Sequence, residues 1–242
     1  MPINETGHAK NVANFQDLLS FVTGYGATYN PTKPTILLPA LNAKHTAAVA
    51  RLAHVNTALA QHVIAINDRD DLFDPFAKLI TRVVNAVQAS PVPPAIIDDV
   101  RTIARKLQGQ RSTPRILDDP NTPEDESLQS ISASQMSFDS RIENFHELIQ
   151  LLAAEPGYNP NEPDLTGASL TALHTSMVAS NLTVTTAYTT VSNARLQRDV
   201  ELYDPAKGLV TAAGDVKTYV KSVYGANSLE YDQINSIQFK RR

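Results

Sequence analysis

Cysteine is absent from this chain, which excludes disulfides, zinc–thiolate centres and thiol nucleophiles together. Tryptophan is absent too, and aromatic residues make up only 6% of the sequence. A core must therefore be built mainly from Ala, Leu, Ile and Val, a helix-bundle palette. Nine glycines in 242 residues leave little material for phosphate-cradling loops. No Gly-x-Ser-x-Gly, Walker A or Gly-rich dinucleotide motif occurs. The longest apolar runs fall far short of membrane-spanning length. The opening MPINETGHAKNVANFQ has neither the basic start nor the apolar stretch of a signal peptide. Basic runs are missing outside the terminal Lys-Arg-Arg, and the net charge is −4, which speaks against a general nucleic-acid binder. These absences predict a cytoplasmic protein with no cofactor and with neither nucleic acid nor membrane among its partners.

What the chain does contain is repetition, the first thing to look for in any sequence. YNPTKP at Tyr29–Pro34 returns as YNPNEP at Tyr158–Pro163. NFQDLLSFV (Asn14–Val22) matches NFHELIQLL (Asn144–Leu152), and ALNAKHTAAVA (Ala40–Ala50) matches SLTALHTSMVA (Ser169–Ala179). LFDP (Leu72–Pro75) lies over LYDP (Leu202–Pro205), and LITRVVNAV (Leu79–Val87) over LVTAAGDVK (Leu209–Lys217). More loosely, IIDDVRTIARK (Ile96–Lys106) lies over EYDQINSIQFK (Glu230–Lys240). The matches keep their order at a nearly constant interval. They predict an internal duplication: repeat 1 over residues 12–108, a polar linker over 109–137, and repeat 2 over 138–242, packed as one unit.

Each half reads as the same series of helices. A short one is expected at Val12–Thr23 and Arg141–Ala153. A long one follows at Thr35–Asp71 and Asp164–Glu201, about 50 Å at 1.5 Å per residue. In its first copy Leu41, His45, Ala48, Leu52, Val55, Leu59, His62 and Ile66 alternate at spacings of four and three, the pattern of a helix packed lengthwise on near-parallel neighbours. A third helix starts at the FDP or YDP sequence, and a fourth is expected at Pro94–Gln108 or Ser228–Gln238. NLTVTTAYTTV (Asn181–Val191) alternates apolar residues with Thr and taken alone reads as a strand. Its counterpart LAHVNTALAQH (Leu52–His62) is plainly helical, so helix is expected in both. Between the halves, Gly109–Ser137 is polar, proline-containing and acidic from Asp118 to Glu126, and a flexible linker is expected. The predicted fold is all-α: an elongated antiparallel helical bundle of two pseudo-equivalent repeats.

Turn chemistry accounts for the repeated punctuation. Proline forces Asn30 and Asn159 out of any helix, with Pro31 and Pro160 following them. Tyr29 and Tyr158 can bury a ring and keep a hydroxyl at the surface. Thr35 and Asp164 suit the N-caps of the long helix. Asp74 and Asp204 are expected to cap the third helix, with Pro75 and Pro205 at its first position. The competing reading makes the two tyrosine loops a ligand site.

Among chemical candidates, His45 and His174 occupy equivalent places on the apolar stripe of the long helix. About a pseudo-twofold axis they could meet and bind a small ligand or a metal. Neither has a carboxylate three or four residues away to complete a metal site, so no metal is expected. Glu143-Asn-Phe-His146 is a Glu-x-x-His, but a di-iron bundle needs two, and the other half offers Ala13 to Gln16. The Arg69–Asp70 and Arg198–Asp199 pairs lie at charged helix ends that lack the layout of a Ca²⁺ loop and read as solvated. No catalytic residues present themselves.

At the C-terminus, Gly225 ends a helix, Asn227 or Ser228 caps the next, and Tyr231, Ile234 and Ile237 form one apolar face. This Gly-Ala-Asn-Ser-x-Glu-Tyr segment resembles the ending of a group of uncharacterised bacterial helical proteins. The resemblance implies a bacterial, all-α protein and no particular function. The leading expectation is a non-catalytic scaffold acting through a protein partner or self-association. A ligand- or metal-binding bundle comes second, and an enzyme of unidentified residues third.

Overall fold

The computed structural model describes residues 6–110 and 136–240, and every regular element among them is helical. The acidic stretch expected to be a flexible linker falls on residues 111–135, outside the described residues. In chain order the α-helices are α1 Thr6–Gly24, α2 Leu38–Phe73, α3 Phe76–Gln88, α4 Pro94–Gln108, α5 Phe138–Ala154, α6 Gly167–Tyr203, α7 Leu209–Tyr224 and α8 Leu229–Asn235. Short 3-10 turns sit at Gly26–Thr28 and Pro34–Ile36.

The shorter helices follow from apolar spacing. α3 buries Phe76, Ile80, Val83 and Val87, four and three apart. α5 buries Phe145, Leu148, Ile149 and Leu152 by the same rule. The Thr-rich segment that reads as a strand in isolation is helical within α6. Its hydroxyls turn back on the preceding turn, Thr183 donating to Ala179 O at 2.9 Å and Thr185 to Asn181 O at 3.1 Å. Val184 and Val191, two helical turns apart, are its buried residues.

Several helix ends differ from expectation. α2 starts at Leu38 because Pro34–Ile36 winds into a 3-10 turn, so Thr35 caps nothing. α6 starts at Gly167, and its cap is Thr166, whose Oγ1 accepts from Ser169 N at 3.3 Å. Asp164 is instead ion-paired with Arg82. Asp74 does not cap α3: Pro75 immediately precedes Phe76, and no side chain caps that helix. Asp204 Oδ1 accepts from the amides of Ala206 and Lys207, both at 2.9 Å, which closes the turn after α6. These two amides also hold its carboxyl below the usual carboxylate range. α7 then begins beyond Gly208, leaving Pro205 outside the helix. Ser137 and Ser228 do cap, accepting from Ser140 N and Tyr231 N at 3.1 Å.

Two compact units divide the chain, and their borders fall inside the long helices. One joins Met1–Val63 with Ala187–Arg242; the other is Ile64–Thr186. In the first, Val12, Phe15 and Leu18 of α1 share a core with Leu41 of α2, Leu202 of α6, Val216 of α7 and Ile234 of α8. The buried Asn11 side chain exchanges two hydrogen bonds with the backbone of Lys240, at 2.9 and 3.0 Å. Asn14 donates to Gln238 O and Tyr25 to Glu230 O, so the C-terminal segment is tied to α1. In the second, Phe76 and Phe145 meet edge to face at 4.8 Å, as do Phe73 and Phe138 at 4.9 Å. The Arg69 guanidinium lies 3.6 Å over the Phe138 ring.

The charged helix ends are solvated only in part: Asp68, Asp70 and Asp71 are exposed, but the two arginines are covered, which corrects the sequence reading for them. Arg198 is fully buried and donates from Nε and Nη2 to Asp199 Oδ1 at 2.9 and 2.7 Å. Arg69 is mostly covered and donates to Asn181 Oδ1 at 3.0 Å. Long side chains let a helix end hide an apolar stem and still pair its charge.

Candidate functional site

Both repeated tyrosines are buried, and their hydroxyls are not at the surface as expected. Tyr29 donates to Ile36 O at 2.7 Å and Tyr158 to Leu165 O at 2.8 Å. In each loop the chain folds back over the ring, and a carbonyl seven residues on accepts the phenol's hydrogen bond. Asn30 and Asn159 are exposed, and the Asn30 amide donates to the Tyr219 hydroxyl at 3.0 Å. The rings therefore fasten loops and offer no free phenol. Burial, and secondarily the Tyr219 hydroxyl, pushes the Tyr29 phenol far up. Burial, helped by Glu162 and Asp164, pushes Tyr158 up to about 12.

A phenol raised on folding stabilises the fold below its unfolded pKa near 10, and that contribution is lost as pH climbs through the folded value. We expect Tyr158→Phe to cost about 1–2 kcal/mol near neutral pH, because Leu165 O loses its donor. The variant should also lose less stability than wild type between pH 10 and about 12. Urea unfolding at the two ends of that range checks both; equal pH dependence in variant and wild type would refute the assignment.

The two candidate histidines lie in different units, each against a phenylalanine. His45 stacks on Phe15 at 6.5 Å between centroids, and His174 tilts against Phe145 at 6.2 Å. His174 meets another imidazole, His146 of α5, at 5.0 Å. The Glu-x-x-His of α5 and the candidate histidine of α6 thus share one spot, a juxtaposition hidden in the sequence. Burial, then the neighbouring His146, lowers the His174 pKa, opposed by Glu143. The neutral ring is favoured, so this contribution is present above the ordinary histidine pKa and lost as pH falls through the folded value. Among the described residues no group of three or more His, Asp or Glu is placed to hold a metal ion.

The second tyrosine loop also borders an open cleft of about 800 Å³ in the second unit. Arg82, Asn85 and Ser90 line it from the α3 side, and Asn159, Asn161 and Glu162 from the loop. Gly157 is required there, because a Cβ would lie 2.5 Å from Pro91 O. The cleft contains no histidine, and the Ser90 hydroxyl is spent on Ala86 O at 2.7 Å. It has the polar groups to bind but no nucleophile–base pair to react.

A larger feature lies on the long helices of the first unit. Lys44 pairs with Glu201, Arg51 with Gln197 and His62 with Tyr188, so α2 and α6 run antiparallel there. Along this stretch they join through a thin core of Val55, Ala58, Val191 and Ala194. Their other flanks leave Val63 54%, Val200 56%, Tyr188 60% and Leu196 62% exposed, and Val49 45%. In the second unit the same helices expose Ile64, Val178 and Leu182. The sequence held the signal: no Asp, Glu, Lys or Arg occurs between Arg51 and Asp68, or between Asp164 and Arg195. Periodicity of apolar residues alone does not reveal it, because the exposed stripe and the buried one share the same spacing.

Among the described residues no helix is long and apolar enough to cross a membrane. No protein-family model, curated protein or solved structure matches this chain.

Proposed function

We propose that the chain is a non-catalytic helical scaffold that offers the exposed apolar residues of α2 and α6 to a protein partner. The observation that carries this reading is the row of exposed Val49, Val63, Tyr188, Leu196 and Val200 on helices that carry no charged side chain over residues 52–67 and 165–194. Contiguous apolar patches of that kind mark interaction sites, whereas isolated exposed apolar residues mark nothing. We further read residues 12–108 and 138–242 as pseudo-equivalent copies. Matching tyrosine-to-carbonyl bonds in the two loops and matching Phe–His contacts support that reading.

A photoreactive residue placed at Ala60, on the apolar flank, should form protein adducts in native cells. One placed at His54, on the polar flank, should not. Both positions are exposed, so neither replacement disturbs packing. Equal labelling from the two positions, or none from either, would sink the proposal.

A further inference from the structure

We infer that His146 of α5 and His174 of α6 together bind one late first-row divalent cation, such as Zn²⁺, in the second unit. This goes beyond the scaffold reading and does not depend on it. The two rings lie 5.0 Å apart between centroids and 34° from parallel. A metal about 2.0–2.1 Å from an imidazole nitrogen sits roughly 3.2 Å from the centre of that ring. Two rings bound to one ion at about 90–110° therefore hold their centres about 4.5–5.2 Å apart. The separation in this protein falls inside that window. The Cβ–Cγ bond of histidine points through the ring, and the torsion about it is soft. Turning about that bond aims a nitrogen at the gap and leaves the ring centre in place.

The nitrogens are available. Neither imidazole makes a hydrogen bond or an ion pair with a described residue. His146 is exposed and His174 half-buried, so an ion can reach the pair from solvent, while the buried Phe145 backs the His174 ring at 6.2 Å. Burial and the neighbouring His146 favour the neutral form of His174, the form that offers a lone pair to a metal. Charge is favourable as well. Glu143, one turn before His146 on α5, is the carboxylate that acts on His174. Lys106 of α4 is paired with Glu147 at 3.5 Å, and the Arg141 guanidinium lies over the rings of Phe73 and Phe76. Among the described residues no third His, Asp or Glu is placed to complete a set. Water must then fill the other positions, and the affinity is expected to be micromolar at best. Imidazole donors select Zn²⁺, Ni²⁺ or Cu²⁺ over Mg²⁺ and Ca²⁺, which take oxygen ligands. The first half supplies the contrast: Gln16 stands in the sequence place of His146, and His45 stacks on Phe15.

Titration of ZnCl₂ into the full chain at about pH 7.5, where free imidazoles are neutral, tests this by NMR of the histidine side chains. The His146 and His174 signals should move together on one curve that saturates at one ion per chain. Those of His45, His54 and His62 should move only at higher concentration, and MgCl₂ should move none. His146→Gln, a change at an exposed position, should weaken the binding read on His174 by more than about tenfold, because the second attachment is lost. His45→Gln should leave it unchanged. In urea unfolding, Zn²⁺ should raise the midpoint of wild type and of His45→Gln but not of His146→Gln. Separate titration of the two signals, or a wild type that binds no more tightly than His146→Gln, would overturn the inference.

Discussion

Phe145→Ala is expected to destabilise the unit built from Ile64–Thr186 by about 3–5 kcal/mol, a large share of the stability of any domain. Phe145 is fully buried at the meeting point of three elements. It touches Phe76 edge to face and His174 with its flank, and lies in a core with Ile80, Val100 and Leu148. Truncation forfeits the transfer free energy of the ring and leaves a cavity that rigid helices close only in part. The edge-to-face geometry adds about 0.5–1.5 kcal/mol beyond area. Phe145→Leu should recover more than half of the loss. Hydrogen exchange reads the effect locally, and amides of α3, α4 and α5 should exchange faster in the Ala variant. A total change under about 1 kcal/mol would mean this core is looser than its packing implies.

Arg198→Ala should cost about 3–5 kcal/mol in the other unit, the range for removing one partner of a buried pair. Arg198 is the largest fully buried side chain among the described residues, and two of its nitrogens bond one oxygen of Asp199. Asp199 keeps partial access to water, its side chain being 28% exposed. The stranded carboxylate can therefore rehydrate, and much of the loss comes from the emptied volume of the arginine stem. This separates two variants. Arg198→Met refills that volume and should recover part of the loss, whereas Arg198→Lys keeps the charge but not the fork and should fall between the two. Urea unfolding of the three variants gives the order; Ala and Met equally destabilised would show that the charge, not the stem, matters.

How much of this was readable in advance depends on range. Helix existence was legible because it is local: Phe76, Ile80, Val83 and Val87 announce α3 by spacing alone. Helix ends were less so. Asp74, Asp164 and Asp204 all satisfy the composition of a cap, yet tertiary or turn partners took two of them, Arg82 for Asp164 and the Ala206 and Lys207 amides for Asp204. Composition at a helix end does not say which free amide is nearest. The burial of Arg198 was illegible for a related reason: its i,i+1 neighbour Asp199 looks the same in a solvated end as in a covered one. The His146–His174 contact joins two helices through tertiary packing, and nothing in either helix foretells the other. Part of the exposed flank, Val63 and Tyr188, was legible through absent charge; Leu196 and Val200 sit among charged neighbours and were not.

The first unit draws its core from both ends of the described chain, Val12 at one extreme and Ile234 at the other, while the second is an unbroken stretch. The native partners of Phe15 and Leu18 are therefore not all available during synthesis until α7 and α8 have been made. The middle of the chain needs nothing from the later segment, since every residue of its core precedes Thr186 in sequence. In order of synthesis, the core of the middle stretch is thus complete before that of the first unit can be.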